Sequence, residues 1–113
     1  MIARRKSVLA TALLAALLGG AVQAQEETVE VEMRDYGYHP AELEIAVGTT
    51  VRWVSVEKRT SHDVYFPEDG VASGRLFPGE SWERTFDEAG TFEYHCQPHA
   101  SRDMRGVIHV VAE

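Results

Sequence analysis

The sequence predicts a small all-β protein, an antiparallel sandwich or barrel of about seven short strands. Apolar and polar residues alternate with a period of two, and the alternating runs are rich in β-branched and aromatic residues. Glycine, proline and aspartate cluster between the runs, and no segment keeps a helical period. Runs of this length and spacing are typical of β-sandwiches and barrels. The predicted strands span residues 28–33, 42–47, 50–56, 63–66, 81–86, 91–96 and 106–112.

The first three predicted strands each place apolar side chains on one face, which we expect to form part of the core. A turn at Gly48 separates the second of these strands from the third. The apolar faces consist of Val29, Val31, Met33, Leu43, Ile45, Val47, Val51 and Trp53.

The last four predicted strands alternate in the same way. The first of them is short and ends at Pro67. In the final strand the apolar neighbours of His109 alternate with it, so this histidine is expected to face outward. Trp53 and Trp82 are both expected in the core, because each lies on the apolar side of its run.

Residues 1–24 have the features of a cleaved secretory signal peptide. Basic residues at positions 4 to 6 precede an apolar run at 8–18, and small residues lead up to Ala24. The run is shorter than the roughly 20 residues that span a bilayer, which disfavours the alternative of a retained anchor. We therefore expect cleavage after Ala24, export to the periplasm, no stable membrane insertion after cleavage, and one domain over residues 25–113.

The expected mature chain is strongly acidic. Cleavage removes three of the 11 basic residues and none of the 18 acidic ones, so the net charge falls from −7 to −10. This charge argues against nucleic acid as a partner, because phosphates would be repelled. It suits a soluble protein that meets a basic partner surface by electrostatic steering, although solubility alone would also explain the charge. We expect the protein to be a monomer.

The single cysteine lies in the segment YHCQPHASRDMRG, residues 94–106. Strand alternation places Cys96 on the core face with the aromatic residues before it, and turns His95 away. His99 and Met104 follow in the spacing C-x2-H-x4-M, on a loop short enough to bring three soft or borderline ligands together. This donor set suits copper better than structural zinc. The alternative is a buried, inert cysteine.

A trigonal copper site needs a second imidazole, and four further histidines are available. His95 is disfavoured by strand alternation, and His109 is expected to face outward in mid-strand. His62 lies where a polar loop meets a short strand, at the end of the sandwich expected to carry the cysteine loop. His62 is therefore the first choice, and His39, in an early turn, is the second.

The segments SHDVYF and YHCQPHASRDMRGVIHV, together with PAELEIAVGTTVRWV, resemble the small blue copper proteins, the cupredoxins. The resemblance implies a Greek-key sandwich that binds one type 1 copper and carries single electrons rather than catalysing a reaction. It further implies imidazole ligation by His62 and His99, a short thiolate bond from Cys96 and a long axial contact from Met104.

The chain departs from the family pattern beside the first and before the last of these residues. Asp63 stands where blue copper proteins commonly have asparagine, and its carboxylate is expected to favour Cu(II) and lower the reduction potential. Its backbone N–H can still donate to the cysteine sulfur. Residues 100–103 lack the usual glycine, although the loop length matches the plastocyanin and pseudoazurin type.

The resemblance also implies where electrons leave. The second ligand histidine would present one ring edge within an apolar patch, and the residue before the cysteine would offer another route. An acidic turn in 66–71 falls where plastocyanins carry a docking patch, with an ordinary solvated turn as the alternative. The candidate electron-transfer and docking residues are His99, His95, Pro98, Ala100, Glu68 and Asp69. Cytochrome c, nitrite reductase and amine dehydrogenase are the compatible partner types.

Three other functions fit the sequence less well. A copper carrier tends to have a methionine-rich, exposed site, whereas the expected mature chain contains only Met33 and Met104. A small copper oxidase would need a second cluster of histidines. An adhesive β-sandwich would leave the ligand pattern unexplained.

Overall fold

The structure, a computed structural model, describes residues 27–112 as two β-sheets that enclose one hydrophobic core. The signal peptide predicted over 1–24 lies outside these residues. A 3-10 helix, Gln97–Arg102, connects the last two strands. The strands are β1 Thr28–Arg34, β2 Gly37–His39, β3 Glu42–Ala46, β4 Thr50–Ser55, β5 Tyr65–Phe66, β6 Val71–Ala72, β7 Ser81–Thr85, β8 Gly90–His95 and β9 Arg105–Val111.

The two sheets are mixed. The four-stranded sheet has the order β2-β1-β4-β7, and the five-stranded sheet has the order β3-β9-β8-β5-β6. The all-β sandwich is confirmed, but β1 pairs with β4 and β3 pairs with β9 in parallel. Parallel neighbours need a crossover connection. Here the chain supplies one by placing β3 in the opposite sheet between β1 and β4, so the expectation of wholly antiparallel pairing was wrong for these two pairs.

All seven predicted strands are present, and β2 and β6 are short additions. The predicted strand 63–66 is reduced to Tyr65–Phe66, because the residues before it are drawn toward the loop after β8. His62 forms an isolated bridge with Leu76, and the backbone N–H of Asp63 donates to Cys96 Sγ rather than to a strand. The shortened strand therefore marks the place where the two loops meet. No helix within residues 27–112 is long and apolar enough to cross a membrane.

The core is dominated by aromatic rings. Trp53 is fully buried, and its ring centroid lies 5.4 Å from that of Tyr94 and 5.4 Å from that of the partly buried Trp82. Tyr38 lies 4.6 Å from Tyr94, and its buried hydroxyl donates a 2.6 Å hydrogen bond to the backbone carbonyl of Asp63. Large rings in edge-to-face contact pack rigidly. These packed rings support the end of β8, and Cys96 is the next residue in the chain.

Gly106 is a position where the fold needs glycine for space. A Cβ there would lie 2.5 Å from both Cζ and the hydroxyl oxygen of Tyr94 and 3.0 Å from the carbonyl oxygen of Ala41. We expect Gly106→Ala to lower the free energy of unfolding by about 1–3 kcal/mol, because Tyr94 is buried and has little room to move. Urea unfolding measures the change. The control is Gly37→Ala, which has no positive φ and whose added methyl comes closer than 3.4 Å only to the tip of the His39 ring, at 3.1 Å. An unchanged unfolding midpoint for Gly106→Ala would contradict the expected clash.

Candidate metal centre

Three predicted ligands converge at one end of the sandwich. Candidate donor atoms of His62, Cys96 and His99 all lie within 4.8 Å of one another. Cys96 Sγ is 3.4 Å from His99 Nδ1 and 3.9 Å from His62 Nδ1, and the two Nδ1 atoms are 3.2 Å apart. Bonds of about 2 Å from a central ion separate three trigonal ligands by about 3.5 Å. The triangle therefore has the size of a three-coordinate metal site.

Each corner of the triangle is held by backbone structure. The N–H of His62 donates to Leu76 O at 3.0 Å, and the N–H of Leu76 donates to His62 O at 2.7 Å. Cys96 directly follows β8, and its carbonyl accepts the His99 N–H at 3.1 Å in the first turn of the 3-10 helix. The ligand positions are therefore set by main-chain bonds, which leaves little freedom in the spacing of the three side chains.

Met104 lies at the end of the loop that follows Cys96. It is fully buried in the core cluster, and its carbonyl oxygen accepts the Cys96 N–H at 3.0 Å. The 3-10 helix ends at Asp103 in the left-handed conformation, with φ of 61°, and β9 begins at Arg105. The return of the chain thus brings the backbone of Met104 next to Cys96.

The thiol of Cys96 is fully shielded from solvent. Burial raises its pKa, because the thiolate is disfavoured away from water, while hydrogen bonding from the backbone of Asp63 acts in the opposite direction. That Asp63 N–H donates to Sγ at 3.4 Å, as the sequence analysis expected. A coordinating metal ion deprotonates a thiol outright. Cys96 is therefore unreactive as a free thiol, and it becomes a thiolate ligand when the site binds a metal ion.

Asp63 connects the two halves of the site. Its side chain is buried with 5% exposure, and Oδ1 accepts the Gln97 N–H at 2.7 Å. The segment that carries His62 is thereby tied to the residue after Cys96. A carboxylate in place of the family's usual asparagine retains this acceptor, and it adds a negative charge close to the sulfur when ionised.

The other histidines lie outside the triangle. The ring of His39, the second choice for a ligand, has its Nε2 3.0 Å from the carbonyl oxygen of Arg34 within the β1–β2 hairpin. His95 faces the other side of the sheet and packs on Tyr65 at 5.5 Å between ring centroids. His109 lies 2.8 Å from a carboxylate oxygen of Glu42. The preference for His62 over these candidates agrees with the geometry.

His99 is the ligand at the surface. Its ring is partly buried, and its pKa is lowered chiefly by that burial and further by its electrostatic interactions with His62, Arg102 and Arg75. Its predicted neighbours Pro98 and Ala100 are both exposed. A route from the metal triangle to solvent therefore exists through this imidazole.

Sequence reasoning missed Glu57 as a contributor to the site. Glu57 Oε2 lies 2.8 Å from Nε2 of His62, on the side of the ring opposite the triangle. The ring of Tyr36 packs edge-on to His99 at 4.9 Å, and the Arg102 guanidinium lies 4.1 Å from the Tyr36 centroid. No local pattern distinguishes Glu57, since it lies in a connecting segment far from Cys96 in the chain.

The predicted acidic docking turn is exposed, but its two carboxylates differ. Asp69 forms a 2.6 Å ion pair with Arg84, which lowers the pKa of the Asp69 carboxyl. Among residues 27–112, no ion pair involves Glu68. Much of the negative charge that the turn could offer to a partner therefore resides on Glu68.

A β-sandwich with two imidazoles and one thiolate in a trigonal group defines a small metalloprotein of the copper-binding type, because soft sulfur combined with imidazole favours copper. The chain belongs to the plastocyanin/azurin family of copper-binding proteins, whose sequence profile matches residues 25–111. Copper is thus the cofactor, as predicted, and the donor set fits it.

Individual relatives agree with this assignment. Plastocyanin from Scenedesmus fuscus is 37% identical over 84 residues, which cover 65% of this chain and 85% of that protein. A chloroplastic plastocyanin from Physcomitrium patens is 34% identical over 85 residues, covering 66% of this chain but only 50% of that protein. Amicyanin from Paracoccus denitrificans is 33% identical over 94 residues, covering 78% and 69% respectively.

Solved structures of amicyanin have the same fold. An oxidised methionine-to-leucine mutant of amicyanin superposes with a TM-score of 0.68 at 32% identity, covering 74% of this chain and 81% of that chain. The Cu(I) form of another amicyanin mutant gives a TM-score of 0.69 at 32% identity, covering 76% and 84%. The cupredoxin fold expected from the sequence is therefore confirmed.

Proposed function

We propose that this protein is a one-electron carrier that uses a single type 1 copper ion. His62, Cys96, His99 and Met104 would hold the ion. The observation that carries the proposal is the buried His–Cys–His triangle, with donor atoms within 4.8 Å of one another. Bound copper supplies a centre that alternates between Cu(I) and Cu(II).

The surrounding residues suit electron transfer because they hold the ligands in place. Hydrogen bonds from Asp63 N–H to Cys96 Sγ and from Gln97 N–H to Asp63 Oδ1 lock the two ligand loops together. Small rearrangement on a change of charge favours rapid exchange of electrons. Four protein ligands leave no open position for a substrate, so we propose a carrier rather than an enzyme.

Electrons enter or leave through the partly exposed ring of His99. Pro98 and Ala100 flank it at the surface and form the docking patch with it. A second route is offered by His95, which is bonded to Cys96 through one peptide and packs against the partly exposed Tyr65. Encounters of this kind bury little area and dissociate quickly.

The partner is proposed to be a redox protein of the cytochrome c, nitrite reductase or amine dehydrogenase type. Glu68 is the better candidate for steering a basic partner surface, because the charge of Asp69 is compensated by Arg84. The protein is proposed to act as a monomer. Similarity to plastocyanin and amicyanin supports this class of partner.

The working location is proposed to be the periplasm, after cleavage behind Ala24. The basic start, short apolar run and small residues at positions 22 and 24 support this. N-terminal sequencing of the protein from a periplasmic fraction tests it. A start at Gln25 is expected, and recovery of the intact Met1 terminus in membranes would contradict it.

The function is tested by titrating residues 25–113 with Cu(II) and recording the visible spectrum. One equivalent is expected to produce an intense blue band that ascorbate bleaches and a mild oxidant restores. Reversible one-electron voltammetry of the same sample checks that the couple survives many cycles. A pale copper complex would favour a copper carrier, and absence of copper binding would refute the proposal.

A further inference from the structure

The carboxylate of Glu57 meets the one ring nitrogen of His62 that does not face the metal triangle. We infer that Glu57 is a positioning residue that fixes the tautomer and orientation of His62 and strengthens it as a ligand for Cu(II). This inference rests on the proposed function, because it assigns His62 Nδ1 to the metal.

The contact is short and shielded. Glu57 Oε2 lies 2.8 Å from His62 Nε2, the side chain of His62 has no exposed surface, and that of Glu57 is 19% exposed. The same oxygen accepts the backbone N–H of Asp35 at 3.1 Å. Two donors converge on one oxygen from different segments, so the carboxylate cannot rotate without losing both bonds.

The hydrogen-bond chemistry determines the tautomer. An ionised carboxylate can only accept hydrogen bonds, so Nε2 of His62 carries the proton that is shared with Glu57 Oε2. In a neutral imidazole the lone pair then resides on Nδ1. That atom is the one 3.9 Å from Cys96 Sγ and 3.2 Å from His99 Nδ1. Glu57 therefore directs the metal-binding lone pair of His62 into the triangle.

The contact between Glu57 and His62 is not an ordinary surface ion pair. Lysine and arginine residues are plentiful nearby, with Arg34, Lys58 and Arg59 lining the same surface concavity. Yet within residues 27–112 no lysine or arginine pairs with Glu57, while Arg34 pairs with Glu32 and Asp35. The carboxylate is directed at the histidine instead, where its charge acts on the ligand.

Glu57 also stabilises the turn formed by Asp35 and Tyr36, which lies next to the two histidines. Asp35 and Tyr36 both have left-handed backbone conformations, with φ of 54° and 57°, which residues other than glycine seldom adopt. The Asp35 N–H to Glu57 bond stabilises this turn, and the turn places the Tyr36 ring 4.9 Å from His99 and 6.2 Å from His62. One carboxylate thus orients a ligand and the ring that packs on both histidines.

Carboxylate partners raise the basicity of a ligating histidine, and their loss typically reduces metal affinity 10- to 100-fold. A more basic imidazole and a nearby negative charge both stabilise Cu(II) more than Cu(I). Glu57 is therefore expected to lower the reduction potential of the centre.

The first test uses the copper-free protein, residues 25–113, and long-range nitrogen–proton NMR of the imidazole rings. Wild type is expected to show His62 as the Nε2–H tautomer only. Glu57→Gln keeps an oxygen acceptor and is expected to retain that tautomer, whereas Glu57→Ala is expected to give a mixture. A wild-type His62 protonated at Nδ1, or an unchanged tautomer in Glu57→Ala, would overturn the inference.

The second test uses the copper-loaded protein. Glu57→Gln is expected to shift the Cu(I):Cu(II) ratio at a given ambient potential about tenfold toward Cu(I), which for one electron is about 59 mV. Glu44→Gln is the matched control, since it removes one exposed carboxylate from β3, a strand without site residues. Equal shifts in the two variants would overturn the inference. Failure of wild type to bind copper would refute the proposed function instead, while the NMR result would still report on the Glu57–His62 bond.

Discussion

Cys96→Ser is expected to abolish the blue absorption of the copper-loaded protein. The band requires a thiolate bound to copper, and a serine hydroxyl is neither soft nor ionised at neutral pH. Serine is close in size to cysteine, so the buried position after β8 is filled and the fold is retained. Spectra of wild type and variant, taken with one equivalent of Cu(II) before and after ascorbate, make the measurement.

The control for this experiment is Ser101→Ala, which changes an exposed residue of the same ligand loop. It should leave the band unchanged, because its side chain is directed away from the core. If Cys96→Ser kept an intense blue band, the thiolate assignment would be wrong. If the variant lost the band but still bound copper, the two imidazoles would account for the remaining affinity.

Asp63→Asn is expected to raise the reduction potential. The amide has the shape of the carboxylate and keeps an oxygen that can accept the Gln97 N–H, so the link between the ligand loops survives. It lacks the negative charge beside Cys96, where charge on Asp63 opposes charge on the sulfur. The oxidised site carries one more positive charge than the reduced site, so it loses more stabilisation.

The size of the Asp63→Asn effect is expected to be about 59 mV or more, which corresponds to at least a tenfold change for one electron. Charges a few ångström apart and away from bulk water interact by several kcal/mol, so the expected shift in potential is small compared with that interaction. Asp103→Asn is the control. It removes the same charge from the other ligand loop, but Asp103 is exposed and paired with Arg105 at 2.6 Å. Voltammetry that found equal potentials for wild type and Asp63→Asn would contradict the argument.

Much of the site could be predicted from the sequence because it is local in the chain. Cys96, His99 and Met104 lie within nine residues, so their types and spacing alone indicate a soft-metal loop. Strand alternation correctly turned His95 away from the core and Cys96 toward it, because successive side chains in a strand alternate between faces. His62 is harder to predict, since it is distant in sequence and only elimination and the family resemblance select it.

The sequence by itself therefore determined the all-β class, the seven predicted strands and the ligand loop, since these depend on neighbours within a few residues. Tertiary structure alone decided which strands pair and in which direction. Alternation identifies the buried face of a strand but not its partner, so the parallel pairs β1/β4 and β3/β9 could not be foreseen. The contact of Glu57 with His62 and Asp35 was equally hidden, because a hydrogen bond between segments forms only when the folded chain brings its donor and acceptor together.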